Sequence, residues 1–260
     1  MMTDGMPTAR DSVPAAFGAQ RLPTPKLVLF DVDYTVLKPG DMFGANGYCA
    51  VGERYGLALD VSRWPVAESA AYETVKGRRA ELGVVHDDGA YMAIANAVIG
   101  ALGGGPSDAV TACAEAIVAE WVRVENFALY DDVLPCLERL RGAGIRLGLV
   151  SNTSRNLDDI VAAFALADYI AVAVASVEIG LAKPSPAIFD AALQRAGVAA
   201  GDAVMVGDSP EDDVNGAVAC GLGAVLLDRA GRYDLPLPTI RSLADLPATL
   251  GLSPPASLPS

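Results

Sequence analysis

The chain has 260 residues, 52% of them hydrophobic and 20% charged, enough to bury a sizeable core in one large domain or in a core domain with a smaller insert. A formal net charge of -13 argues against nucleic acid or an anionic membrane as the main partner, because both are bound through basic surface. No charge-free apolar run approaches a bilayer span, and Cys49, Cys113, Cys136 and Cys220 form no CxxC pair and have one histidine, His86, for company, which argues against a zinc cluster or a disulfide framework and predicts a reduced, cytoplasmic protein.

Residues 1–25 hold Asp4, Arg10, Asp11 and several prolines without an apolar signal-peptide centre, and read as a disordered segment. Next, Leu27-Val28-Leu29-Phe30-Asp31-Val32-Asp33-Tyr34-Thr35 runs an apolar strand into two carboxylates and a hydroxyl. A strand that stops on paired acids presents them at a sheet edge, where oxygen ligands suit a hard cation and one carboxylate would attack an electrophile. An Asx-type turn would account for the same residues without chemistry. Residues 41–127 are far more than a simple crossover needs and read as helices over 42–55, 64–82, 89–102 and 107–127, broken at Gly103-Gly104-Gly105-Pro106. They are expected to form a helical cap inserted between core segments 26–40 and 128–250.

Beyond the insert, apolar runs at 145–150, 171–175, 203–206 and 224–227 alternate with helix patterns at 131–142, 154–164, 186–196 and 210–220. The expected fold class is α/β, a doubly wound parallel sheet with helices on both faces and its ligand crevice at the carboxyl ends of the strands. The tail, 251–260, is expected to be disordered.

Three more strands stop on polar groups. Leu147-Gly148-Leu149-Val150-Ser151-Asn152-Thr153 delivers a hydroxyl and an amide, which suit a phosphate oxygen or, as readily, a helix N-cap. In Gly180-Leu181-Ala182-Lys183-Pro184-Ser185-Pro186 the only lysine after Lys76 stands beside two constraining prolines, where an ammonium would neutralise a bound anion and a neighbouring carboxylate. Met205-Val206-Gly207-Asp208-Ser209-Pro210-Glu211-Asp212-Asp213 ends a strand in a run of acids that repel one another unless a cation compensates them. Glu211 and Asp212 equally suit the positive N-terminus of the following helix.

Taken in order, Asp31-x-Asp33-x-Thr35, Ser151, Lys183 and Gly207-Asp208-x4-Asp213 resemble the haloacid dehalogenase-like hydrolase superfamily, in the branch with a helical cap between the first and second motifs. The resemblance implies a Mg²⁺-dependent phosphatase of a small phosphorylated metabolite. Asp31 would be the nucleophile and form an aspartyl-phosphate; Asp33 would be acid and then base. Mg²⁺ would sit on the Asp31 carboxylate, the Asp33 backbone carbonyl and Asp208, with Asp213 orienting its waters or pairing with Lys183. Thr35, Ser151, Asn152 and Lys183 would hold the phosphoryl oxygens.

Within that family an acid at Asp33 favours phosphate esters, since a halide leaves without protonation; C–P cleaving members carry a small residue there. Tyr34 departs from the glycine many relatives have. Three readings compete with the phosphatase: a sugar phosphomutase, suggested by Val75-Lys76-Gly77-Arg78-Arg79; a 2-haloacid dehalogenase; and a non-catalytic binding module of the same fold. Lys76, Arg78, Arg79, Tyr48, Tyr72 and His86 are the cap candidates for specificity, and monomer and homodimer both stay open.

Overall fold

Leu27, Val28, Leu29 and Phe30 have no exposed surface at all, which requires a sheet covered on both faces. The structure is a computed structural model that describes residues 22, 24–82 and 88–253, with the main chain alone at 79–82 and 88. Its strands are β1 (Leu27–Phe30), β2 (Leu37–Pro39), β3 (Phe127–Leu129), β4 (Arg146–Ser151), β5 (Ile170–Ala175), β6 (Ala203–Gly207), β7 (Gly223–Leu227) and β8 (Thr239–Ile240). Its helices are α1 (Ala45–Arg54), α2 (Trp64–Leu82), α3 (Asp88–Ala101), α4 (Asp108–Glu120), α5 (Val133–Gly142), α6 (Leu157–Ala163), α7 (Ser176–Ile179), α8 (Pro186–Ala196), α9 (Gly216–Ala219) and α10 (Leu246–Thr249). The expectations for residues 1–21 and for 254–260 fall outside the described residues.

The chain divides into two compact units, one up to Lys38 and from Leu129 on, the other Pro39–Ala128. The first carries a six-stranded sheet in the order β5-β4-β1-β6-β7-β8, with parallel pairing throughout. Register sets Phe30 beside Leu149 and Val206, so the segments that follow β1, β4 and β6 emerge side by side. Because β4 and β5 lie to one side of β1 and β6 to β8 to the other, the switch point falls at β1, the position where an open α/β sheet has its crevice. Ile188, Phe189 and Ala192 of α8 pack on Leu29, Val174 and Met205, and α8 closes on Gly197 with φ 61°, a left-handed cap open to glycine.

The helices depart from the sequence pattern at three main places. The helix expected over 107–127 stops at Glu120, where α4 ends, and Phe127 opens β3 instead. α6 starts at Leu157 rather than at 154, because the Asn156 side chain accepts the Asp158 N–H at 2.9 Å and makes Asn156 the cap. Over Pro210–Asn215 the chain winds as a π-helix before α9: the N–H groups of Asp213 and Val214 both reach the Ser209 carbonyl, at 3.1 and 3.3 Å. Strands β2, β3 and β8, three residues or fewer, are too short to leave a periodic signal.

The second unit is helical. Val98 and Ile99 of α3, with Leu102 just past its end, bury against Tyr48 and Val51 of α1 and Cys113 and Ile117 of α4. A ring cluster joins it, with Phe43 at 4.6 Å from Trp121 and Trp121 at 5.2 Å from Phe127. All four cysteines are free thiols, and among the described residues no helix is long and apolar enough to cross a membrane.

Candidate active site

The turn after β1 is tight. Asp31 continues the ladder by donating its N–H to the Val206 carbonyl at 2.9 Å, and Val36 and Leu37 fold back onto the Val32 carbonyl at 2.9 and 2.8 Å. Closing this loop puts Tyr34 at φ 61°, a left-handed conformation unfavourable for a residue with a Cβ, and leaves its side chain 47% exposed. Thr35 is wholly buried; its carbonyl accepts from Arg229 at 3.0 Å, and its hydroxyl has no hydrogen-bond partner among the described residues.

Lys183 is the hub. Its buried ammonium donates to Asp31 Oδ1 at 2.6 Å, Asp213 Oδ1 at 2.6 Å and the Val150 carbonyl at 3.0 Å, which engages all three of its N–H donors. Asn152 fixes the lysine's main chain from both ends: its Nδ2 donates to the Lys183 carbonyl at 2.9 Å and its Oδ1 accepts the Lys183 N–H at 2.7 Å. The Asn152 side chain therefore positions the lysine and is not a free donor for a ligand, a role the sequence did not suggest. Asp213 accepts the Ser209 N–H on its other oxygen at 3.0 Å. Gly207 is required beneath it, since a Cβ there would lie 2.1 Å from Asp213 Oδ2.

Oxygens of Asp31, Asp208 and Asp213 lie within 4.8 Å of one another. Burial pushes the Asp31 carboxyl up to about 6, against the pull of Lys183 and with added repulsion from Asp213 and Asp33. Burial, then repulsion from Asp31 and Asp213, holds Asp208 well above the usual carboxylate range. Burial disfavours charge on Lys183, but the carboxylates of Asp213 and Asp31 outweigh it and keep the ammonium protonated. Three clustered acids facing one ammonium leave negative charge uncompensated, and hard oxygen donors in that number suit a hard divalent cation such as Mg²⁺.

Asp33 is placed apart from that cluster. Its Oδ2 accepts from Nη2 of Arg155, a side chain only 2% exposed, while its Oδ1 is buried with no hydrogen-bond partner among the described residues. Sequence reading passed over Arg155. One signal for it was available: a cation directly before a helix N-terminus opposes the helix dipole, so it needs a partner elsewhere. Ser151 closes β4 as a buried hydroxyl, and Asp212 donates its N–H to Ser209 Oγ at 3.1 Å, an N-cap contact.

In the helical unit Tyr48 is a core residue, 6% exposed and 5.8 Å from Trp64 ring to ring, so it belongs to packing rather than to a substrate surface. Lys76 and Tyr72 are exposed and Arg78 is half-buried; the Arg79 side chain and His86 lie outside what is described.

A protein-family model described as haloacid dehalogenase-like hydrolase matches residues 25–221. The chain is 29% identical over 231 residues to haloacid dehalogenase-like hydrolase domain-containing protein 3 of Danio rerio, covering 86% of this chain and 95% of that one. It is 30% identical over 213 residues to glyceraldehyde 3-phosphate phosphatase of Methanopyrus kandleri, covering 80% and 85%. Among solved structures, a HAD phosphatase from Thermococcus onnurineus superposes with a TM-score of 0.59 at 29% identity over 87% of this chain and 98% of that one.

Proposed function

The chain belongs to the haloacid dehalogenase-like hydrolases, and from that premise we propose that it is a Mg²⁺-dependent phosphomonoester hydrolase that works through an aspartyl-phosphate on Asp31. One observation carries the reading: the Asp31 carboxylate, held by Lys183 in a cluster of three acids, has a second acid two residues on whose Oδ1 is unengaged among the described residues. A phosphate ester needs both groups, because its leaving oxygen departs as a poor anion unless it is protonated. A halide needs only the first.

In the first step an Asp31 oxygen attacks phosphorus. The bond from phosphorus to the ester oxygen breaks, its electron pair leaves with that oxygen, and the oxygen takes the proton of Asp33. In the second step the Asp33 carboxylate accepts a proton from water as the water oxygen bonds to phosphorus, and the acyl phosphate bond breaks to return Asp31 as a carboxylate. Lys183 keeps Asp31 aimed and sets positive charge beside the transferring group; Ser151, Thr35 and the main chain around Asn152 receive its oxygens. Asp31, Asp208 and the Asp33 carbonyl would hold Mg²⁺, with Asp213 beside them, and the ion would supply charge that offsets the repulsion between two anions. The substrate class is a small phosphorylated metabolite.

Phosphate release from p-nitrophenyl phosphate and from a panel of phosphorylated metabolites, with Mg²⁺ and with chelator, tests this. Activity abolished by chelation and by Asp31→Asn is the expected result. Activity that survives Asp31→Asn, or halide release from a 2-haloacid without phosphatase activity, would sink the proposal.

A further inference from the structure

Arg155 stands outside every motif used so far, yet it is among the most deeply buried charges in the molecule. Its guanidinium is fixed at two points. Nη2 donates to Asp33 Oδ2, and Nε donates to Thr153 Oγ1 at 3.2 Å; the same hydroxyl accepts the Arg155 main-chain N–H at 3.1 Å. Thr153 is tied in turn to the start of α7, its N–H donating to Ser176 Oγ at 3.0 Å and its carbonyl accepting from that hydroxyl at 3.3 Å. Since Asn156 caps α6, the Thr153 hydroxyl is not needed as a cap and is free to serve the arginine. A continuous chain of bonds therefore runs from β5 and α7 to the turn after β1.

The asymmetry at Asp33 gives this chain a purpose. A carboxylate that can rotate presents either oxygen, and a misplaced acid loses much of its catalytic contribution. Here Oδ2 is occupied by a charge-assisted bond from a buried side chain that Thr153 also holds, and Oδ1 is left without a partner among the described residues. We propose that Arg155 is the positioning residue of Asp33: by holding Oδ2 it makes Oδ1 the atom that gives the proton to the leaving oxygen and takes it from water, with Thr153 holding the arginine in place. The inference rests on the acid/base role of Asp33 put forward above. As the proton leaves Oδ1, the guanidinium already faces the carboxylate that forms, so no reorganisation accompanies the charge.

A positioning role predicts a loss that depends on the leaving group, which a purely structural ion pair does not. The test measures kcat/KM with Mg²⁺ over a series of substituted phenyl phosphates for the wild type, Asp33→Asn, Arg155→Gln, Thr153→Val and the double variant Asp33→Asn/Arg155→Gln. Arg155→Gln is expected to lose about tenfold on the nitrophenyl ester and about a hundredfold on the unactivated phenyl ester, steepening the dependence as Asp33→Asn does. Adding Arg155→Gln to Asp33→Asn is expected to cost less than about threefold more, since both changes remove one function. Thr153→Val removes no buried charge and guards against a variant that fails to fold; it should show the same steepening, smaller in size. A uniform loss along the series, or full additivity in the double variant, overturns the proposal. Steepening by Asp33→Asn alone would overturn it while leaving the acid/base reading intact, whereas no steepening by Asp33→Asn would overturn both.

Discussion

Two sites on the α/β unit set carboxylate against a cation, one with three acids and a lysine and one with a single acid and an arginine, and they differ in whether their charges balance. At the tips of β1 and β6, Asp31, Asp208 and Asp213 share one ammonium, and burial with mutual repulsion raises the carboxyls of Asp31 and Asp208. At the start of α5, Asp132 faces Arg229 alone. The guanidinium donates to both its oxygens, at 2.8 and 3.0 Å, and stacks 3.7 Å from the Tyr130 ring centre; Ser242 Oγ and the Leu243 N–H complete the shell at 2.6 and 2.9 Å. Burial opposes ionisation there too, but the bonds from Arg229, Ser242 and Leu243 outweigh it and hold Asp132 below the usual carboxylate range. A perturbed pKa alone does not mark a functional site; its direction does more. The satisfied cluster joins segments of the fold, while the unsatisfied one keeps negative charge that a cation would offset.

Breaking each cluster at its cation gives the largest contrast. Lys183→Met leaves buried carboxylates unpaired, with an expected cost of about 3–5 kcal/mol and a fall in phosphate release of at least about a thousandfold. Arg229→Met removes a partner that is 21% exposed at its side chain and should cost about 1–3 kcal/mol with most activity kept. Thermal unfolding with added Mg²⁺ sharpens the difference: the ion should raise the melting temperature of Lys183→Met more than that of the wild type and leave the Arg229→Met deficit unchanged. Equal responses from the two variants would mean that the clusters do not differ in kind.

A smaller effect comes from pH, and the two clusters give it opposite signs. In the metal-free protein the Asp31 carboxyl is raised from 3.8 to about 6, so the fold favours its neutral form and loses stability as pH rises between those values. Asp132 is lowered, so its contribution is complete above 3.8 and disappears as pH falls through the folded value. Melting curves from pH 3 to 7 in chelator should show Asp31→Asn flattening the decline between about 4 and 6, and Asp132→Asn flattening the decline at the acid end, each by a few degrees. If Asp31→Asn leaves the neutral limb unchanged, the charge imbalance at the strand tips is not what the geometry implies.

How much of this is legible in the sequence follows the same division. The strand tips stand out because four polar stops follow one another in a set order, although an Asx-type turn would account for the first of them alone, and Lys183 stands out as a lone lysine beside prolines. Asp132 and Arg229 leave no such mark. Their segments are separated by 97 positions, and neither has a periodic or motif context. Arg155 was missed for the same reason, as its partner Asp33 lies 122 positions away. Spacing along the chain reveals groups that one strand delivers; it does not reveal which side chains from different crossovers meet. Asn152 shows the limit within a recognised motif, since the residue is in place while its amide turns to the Lys183 main chain rather than outward. The short strands and the π-wound turn before α9 were hidden because they depend on sheet edges and on Ser209, not on local periodicity.

The smallest expected effect concerns the backbone at the unbalanced side. Tyr34 holds φ 61° between the two acids and the Thr35 hydroxyl, and Ala165, after α6, is the other non-glycine residue with positive φ among those described. A Cβ in this region costs about 1 kcal/mol relative to glycine, reduced by the extra freedom glycine has when unfolded. Tyr34→Gly and Ala165→Gly should therefore both raise stability, by about 0.5–1 kcal/mol, and Tyr34→Ala should not. Turnover should separate them. A glycine at 34 loosens the turn that carries Asp31 and Asp33, so on the proposed roles of those acids Tyr34→Gly is expected to lower kcat about two- to tenfold while Ala165→Gly leaves it unchanged. Were Tyr34→Gly to gain stability with no loss of kcat, the left-handed residue would be an ordinary tight turn, and the cost held at the strand tips would be electrostatic alone.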